Sequence, residues 1–265
     1  MSRSSRIQVS TVVGVLFFIP AAVLSQTGTI SGVVRVEGTV PAPRLIEIDK
    51  NRDVCGDTIR ARDVIVSEGN VAYAVAFIEG LDGETDVQEY LLSNFECSFD
   101  PPVLAATVGG VLVVDNQDDV LHNTHLNLQR GTRTRTVGNW ALSRKGARIR
   151  ADRPLRRPGI IDVECDAHGW MHAKIMIFDH PYFAVTDTLG VFEITEVPVG
   201  THTITVWHEV FGELHQSITV EADATTSVSF NFSADAVGAG ETRFRGERHG
   251  SLDRVEEKEE APREK

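Results

Sequence analysis

Apolar and polar residues alternate with a two-residue period through most of this chain. Val71, Tyr73, Val75 and Phe77 alternate with Ala72, Ala74, Ala76 and Ile78. One bulky face and one small face predict a strand in a sheet packed on both sides. Ile30, Gly32, Val34 and Val36 alternate in the same way with Ser31, Val33, Arg35 and Glu37. Further short strands are predicted over 111–115, 159–165 and 173–178. They are punctuated by Glu68-Gly69-Asn70, Val108-Gly109-Gly110 and Arg157-Pro158-Gly159, which are turn signals. Only 84–95 reads as a short helix. After His180-Pro181, five brief strands are predicted over 183–186, 191–194, 203–207, 218–220 and 228–232. Asp187-Thr188-Leu189-Gly190 and Pro198-Val199-Gly200 turn the first of them. Short strands with regular turns imply a small β-sandwich. From Ser233 onward large apolar residues nearly vanish, and the chain runs into Glu256-Glu257-Lys258-Glu259-Glu260. Such a segment cannot bury enough apolar area to fold.

The N-terminus changes the picture of where this protein works. Arg3 and Arg6 precede an apolar run over 12–24, and small residues follow at a cleavage point before Gln26. That is the pattern of a secretory signal. The run is too short and too interrupted for a membrane span; an uncleaved anchor is the alternative. Export implies the periplasm or the extracellular space, where disulfides persist. The chain has three cysteines, Cys55, Cys97 and Cys165, so two can pair and one needs another explanation. Metal-like neighbours surround only Cys165, so Cys55 is paired with Cys97. Closing that loop stabilises the fold by roughly 2–4 kcal/mol.

Those neighbours are the candidate chemistry. Cys165-Asp166-Ala167-His168-Gly169-Trp170-Met171 places a thiolate, an imidazole and a thioether three residues apart. Thiolate and thioether favour copper(I), imidazole accepts both copper states, and a weak axial Met marks an electron-transfer site. One more His is required, and Asn116-Gln117-Asp118-Asp119-Val120-Leu121-His122-Asn123 supplies it. His125 is the rival, read as lying on the same strand face as His122 and as packing at the site edge. His172 is expected to point away from Met171. Trp170 either flanks the ion as an apolar docking surface or caps the core. Asp115, Asp118 and Asp119 read as a solvated turn, since a calcium loop needs a Gly and a distal Glu. His208-Glu209 offers too few ligands for a second metal. A binuclear copper site is excluded because it needs two thiolates. Phosphate-loop, nucleophile-elbow and His-Glu-x-x-His motifs are absent. A thiol hydrolase built on Cys165 and His168 lacks an orienting third group.

Asn116, His122-Asn123, then Cys165, His168 and Met171 resemble the pattern of the type 1 copper proteins, the cupredoxins. The resemblance covers about 71–179. It implies a Greek-key β-sandwich or barrel binding one type 1 copper ion, with His122, Cys165, His168 and Met171 as ligands. It implies that Asn123 ties the two ligand loops together, and that His168 faces the surface as the electron path. Relatives often carry Pro where Gly169 stands. Another resemblance lies in 185–192 and in Val197-Pro198-Val199-Gly200-Thr201-His202-Thr203. These are similar to the carboxypeptidase regulatory-like, prealbumin-like sandwich, as is Gly28-Thr29-Ile30-Ser31-Gly32-Val33-Val34. The N-terminal strand therefore belongs to either module.

The expected organisation is all-β: a signal at 1–25, a copper domain at 26–180, a regulatory-like sandwich at 181–232 and a disordered tail at 233–265. Net charge is −12, yet ten basic residues lie between Arg130 and Arg157 against one acid, Asp152. They form a local positive face that steers an acidic partner, or a solvated loop with no partner. An exported acidic chain without interleaved aromatics is not a nucleic-acid binder. The expected function is single-electron transfer with an unidentified redox protein and no chemistry on a substrate. The rivals are a copper storage or delivery protein and a metal-free adhesion module.

Overall fold

The computed structural model describes residues 26–130 and 133–236. The leader expected at 1–25, and all but the first residues of the tail expected at 233–265, lie outside them. The described chain is all-β, as the alternation predicts, with a four-residue α-helix at Arg52–Cys55 and a 3-10 turn at Ala234–Ala236. No helix among the described residues is long and apolar enough to cross a membrane.

The strand Thr27–Glu37 organises the C-terminal sandwich. It runs antiparallel to Val191–Pro198 and parallel to Thr225–Ser233, in unbroken register from Thr29↔Thr225 to Glu37↔Ser233. A second sheet holds Phe183–Val185, Val75–Ile78, Gly200–His208 and Gly212–Val220 in that order. Ile30, Val34, Val71, Ile78, Phe192, Val206 and Phe230 share the core between the sheets. Gly32 serves a close approach: a Cβ there would sit 2.2 Å from the Phe192 ring.

The division expected at residue 180 does not follow these sheets. Thr27–Glu37 pairs with Val191–Pro198 and Thr225–Ser233, and Val75–Ile78 with Phe183–Val185 and Gly200–His208, so the N-terminal strand belongs to the C-terminal sandwich. The alternating face Ile30, Val34, Val36 is buried only by that long-range pairing. Residues 89–178 are inserted between Val75–Ile78 and Phe183–Val185, which pair with each other.

The insert has two sheets of its own. One holds Arg148–Ala151, Val111–Asn116, Glu89–Phe95 and Ser98–Asp100. The other holds Arg133–Leu142, His122–Arg130, Gly159–Glu164, His172–Phe178 and Val103–Thr107. Leu92, Leu112, Leu126, Ile161 and Ile175 fill the space between them. The helix expected at 84–95 is instead a strand from Glu89, parallel to Val111–Asn116. Its pairing and its buried Leu92 override local helix preference.

The run 71–78 is packed on both faces, but not as one strand. Tyr73 has a φ of 60° and separates Asn70–Val71 from Val75–Ile78. Ala74, Ala76 and Ile78 join the sandwich core. Val75 and Phe77 join Val103, Ala105, Met176, Phe178 and Trp207 in a third core between the modules. Lys174 crosses the same boundary, 2.5 Å from Asp162 and 3.3 Å from Glu209. Burial disfavours its charge, but those two carboxylates outweigh this and raise its pKa.

His208 is expected to make this fold acid-sensitive. It is buried, and its Nδ1 accepts from the Val210 and Phe211 amides at 3.1 and 3.4 Å. Burial lowers its pKa from 6.5 to about 4. The unfolded chain therefore takes up the proton first as pH falls. The stability His208 contributes is complete above pH 6.5 and is lost as pH falls toward 4. The expected loss across that window is about 3 kcal/mol. Urea unfolding at a series of pH values checks it; a flat profile there contradicts it.

Candidate metal centre

The spacing Cys-x-x-His-x-x-Met has a backbone cause. The His168 amide donates to the Cys165 carbonyl at 3.1 Å, and the Met171 amide to the His168 carbonyl at 3.0 Å. Two successive turns thus put residues 165, 168 and 171 at their corners. The Cys165 amide closes the loop onto the Met171 carbonyl at 3.3 Å. Strands Gly159–Glu164 and His172–Phe178 anchor it through the pair Glu164↔His172. Cys165 and Met171 are both buried in the insert's core cluster. His172 is exposed, on the opposite side from Met171.

His122 begins the strand His122–Arg130, beside Leu142. Asn116 sets its approach: the side-chain amide donates to the carbonyls of Val120 and Leu142 at 2.8 and 3.0 Å. The next residue donates an amide to Cys165, Asn123 N to Sγ at 3.3 Å. His122 is fully buried and His168 is 1% exposed. Their Nδ1 atoms stand 3.1 Å apart, and Cys165 Sγ is 3.6 Å from His168 Nδ1.

The outer nitrogens decide what these inner atoms are. His122 Nε2 lies 2.8 Å from Asp118 Oδ2, an acceptor, so Nε2 carries the proton. His168 Nε2 lies 2.9 Å from Asn51 Oδ1 and also donates. Both Nδ1 atoms are left with lone pairs aimed at one another. Burial lowers the pKa of His122 despite the opposing hydrogen bond and charge of Asp118. Burial, then repulsion from His122 and Lys50, lowers that of His168. Two neutral imidazoles thus face each other with no hydrogen between their Nδ1 atoms, a thiol beside them can give its one hydrogen to His168 alone, and a cation replacing that hydrogen satisfies all three. The donor set fits copper: thiolate and imidazole bind it, and a buried thioether stands in the same loop.

Asp118 is not the solvated turn the sequence predicts. Its carboxylate accepts from the Glu96 and Cys97 amides at 2.9 Å each, as well as from His122. Glu96 and Cys97 have φ of 50° and 52° in the tight hairpin between Glu89–Phe95 and Ser98–Asp100. Both central residues of such a turn are left-handed, a conformation neither favours. The carboxylate holds them there. Asp118 and His122 also lie beside Cys97, but Cys97 is bonded to Cys55. Its sulfur is no thiolate, so that second cluster is not a metal site.

His125 does not share a face with His122. Three positions apart on a strand, the two alternate, and His125 turns outward to Asp166 and Thr136 at 2.9 and 3.0 Å. There it joins a brace: Asp166 accepts from Asn139, Asn139 from Asn123, and Asn123 Oδ1 from the Asp166 amide at 3.0 Å. The hydrogen bond from His125 holds the Asp166 carboxyl below its ordinary pKa. Asn123 thus bridges the two ligand segments. Trp170 is half-buried, its ring 4.8 Å from that of His168, and its Nε1 donates to the Cys97 carbonyl at 3.1 Å. A side chain at Gly169 would meet open space.

His168 is the main correction. The resemblance places it at the surface, yet it is 1% exposed and its outer nitrogen meets Asn51. Asn51 and Lys50 escape a sequence reading because they lie 117 residues from their contacts, His168 and Ala167. The only local signal is their proximity to Cys55. Of the basic segment, Arg150 pairs with Glu89 and Arg156 with Asp152. Arg133, Arg135, Arg144, Lys145, Arg148, Arg153 and Arg157 are exposed.

Solved structures similar to this chain include a cupredoxin, amicyanin variants and a copper-containing nitrite reductase. A purple cupredoxin from Nitrosopumilus maritimus is 20% identical, with 35% of this chain and all of that one covered, at a TM-score of 0.28. An oxidised amicyanin variant is 17% identical, with 39% and 91% covered, also at 0.28. A copper-containing nitrite reductase from Thermus scotoductus is 18% identical; 43% of this chain covers 25% of it, again at 0.28. The PEGA domain family matches residues 192–235, overlapping the segment 181–232 read from sequence as carboxypeptidase regulatory-like. No curated protein matches the chain. Similarity this low leaves the donor geometry to carry the functional reading by itself.

Proposed function

We propose that this protein binds one copper ion through His122, Cys165, His168 and Met171 and passes single electrons between redox partners, without acting on a substrate. One observation carries the reading. Two neutral imidazole nitrogens 3.1 Å apart, with a buried thiol sulfur 3.6 Å from one of them, form a cradle of lone pairs. When bound there, copper supplies a one-electron couple. The chain's own part is to fix the donors: two turns hold Cys165, His168 and Met171, and Asp118 and Asn51 set the imidazole tautomers. Rigid donors limit rearrangement between oxidation states, and hydrogen bonds to them tune the potential.

The exposed arginines suit an acidic redox protein as partner. The sandwich built from 27–37, 66–78 and 183–233 is a docking or assembly module of regulatory type. The protein is exported, as its leader pattern and the Cys55–Cys97 bond imply.

Loading the metal-free protein with copper(II) tests this. An intense thiolate-to-copper(II) visible band and a reversible one-electron wave are expected. Tight copper(I) binding without either would make it a storage or delivery protein; no binding would make it a metal-free module. His125→Ala should keep the band, since His125 faces away from the donors. Loss of the band in that variant would overturn the ligand assignment.

A further inference from the structure

We propose that Asn51 is a positioning residue for the metal centre: it holds the outer nitrogen of His168 and shields the ring, so that a redox partner meets the site across Lys50–Val54 rather than at the imidazole edge. The last clause rests on the electron-transfer reading; the first does not.

Asn51 Oδ1 lies 2.9 Å from His168 Nε2, and His168 is 1% exposed. Asn51 reaches it from a left-handed conformation, φ 52° and ψ 40°, which Asn adopts more readily than most residues. Its carbonyl accepts from the Cys55 amide at 2.8 Å. Lys50 Nζ donates to the Ala167 carbonyl at 3.3 Å. Short strands Leu45–Glu47 and Thr58–Arg60 pair to form the base of this cover. Its outer side presents Lys50, Asn51, Arg52 and Val54 to solvent.

The disulfide ties this cover to the opposite side of the site. Cys55 is bonded to Cys97. The Cys97 amide donates to Asp118, which holds His122; the Cys97 carbonyl accepts from Trp170, which lies against His168. The partners of both outer imidazole nitrogens therefore hang from one covalent bond. Asn51 fixes the His168 tautomer only while that bond fixes Asn51.

The test uses the full chain, metal-free and with the disulfide intact in all but the cysteine double variant, and maps acylation of each histidine by diethyl pyrocarbonate with peptide mass spectrometry. Wild-type His168 should react far more slowly than exposed His172. Asn51→Gly keeps the left-handed turn and deletes the amide; His168 acylation should rise about tenfold, the rate equivalent of one net hydrogen bond. Asn51→Asp retains the acceptor and should restore protection. The double variant Cys55→Ser with Cys97→Ser should expose His168 with its Asn51 intact. No rise in either Asn51→Gly or the double variant overturns the proposal. The copper(II) forms give a second readout: Asn51→Asp should lower the reduction potential relative to wild type, because a carboxylate makes the imidazole a stronger donor. If acylation behaves as expected while no variant or wild type shows a thiolate–copper band, the positioning role of Asn51 stands and the electron-carrier reading fails.

Discussion

Cys165→Ser loaded with copper(II) is expected to show no intense visible band. The band requires a thiolate sulfur bonded to the ion, and Cys165 is the one cysteine outside the disulfide. Serine is nearly the same size and its oxygen can still accept the Asn123 amide that now reaches Sγ. The fold should persist. What changes is the donor: a hydroxyl stays protonated at neutral pH and is hard, where copper(I) prefers soft sulfur. Copper(I) affinity should fall by more than the roughly 10–100-fold cost of losing a single outer hydrogen bond to a ligand. Absorbance and electron paramagnetic resonance of the loaded protein, with urea unfolding as a fold control, decide the matter. A band that survives the substitution means the ion sits elsewhere.

Asp118→Ala should damage both stability and the site. The carboxylate serves the Cys97 amide and His122 Nε2, both buried, and the Glu96 amide. Two buried donors left without acceptors cost roughly 1–3 kcal/mol each. The turn at Glu96 and Cys97 loses what holds two successive left-handed residues. His122 also loses the partner that keeps its proton on Nε2. The imidazole can then protonate Nδ1, the atom facing the other donors, and copper affinity should drop by about 10–100-fold. Asp119→Ala is the control: Asp119 is exposed, and its loss should stay within about 0.5 kcal/mol. Urea midpoints of the metal-free proteins and competition with a copper chelator measure the two effects. Equal behaviour of the two variants would remove Asp118 from the role given to it.

The sequence carried the loop 165–171, with its candidate donors, almost completely. Its three donors are spaced by two consecutive turns, and a turn is a local event that three or four residues can specify. The two-residue period carried the strands of the sandwich for the same reason, because alternation is written residue by residue. His122 was legible through its Asn116 and Asn123 neighbours, and the Cys55–Cys97 bond through the leftover thiol.

Other features depended on residues far apart in sequence. The partner of Thr27–Glu37 is 196 positions away at Thr29↔Thr225, and alternation says that a face is buried without saying against what. Hence the module boundary fell in the wrong place. The segment 84–95 carries no alternation strong enough to oppose its helix preference; the neighbouring strand does that. Asp118 looked like a solvated acid because its three donors come from a distant hairpin and an imidazole. The burial of His168 was invisible for a related reason: its cover comes from 117 residues upstream and is held by a disulfide. By itself the sequence determined the all-β class, many of its strands and the loop that gathers the candidate donors Cys165, His168 and Met171. Only the tertiary structure decided what stands behind each imidazole, because those partners are joined through space and covalent sulfur rather than along the chain.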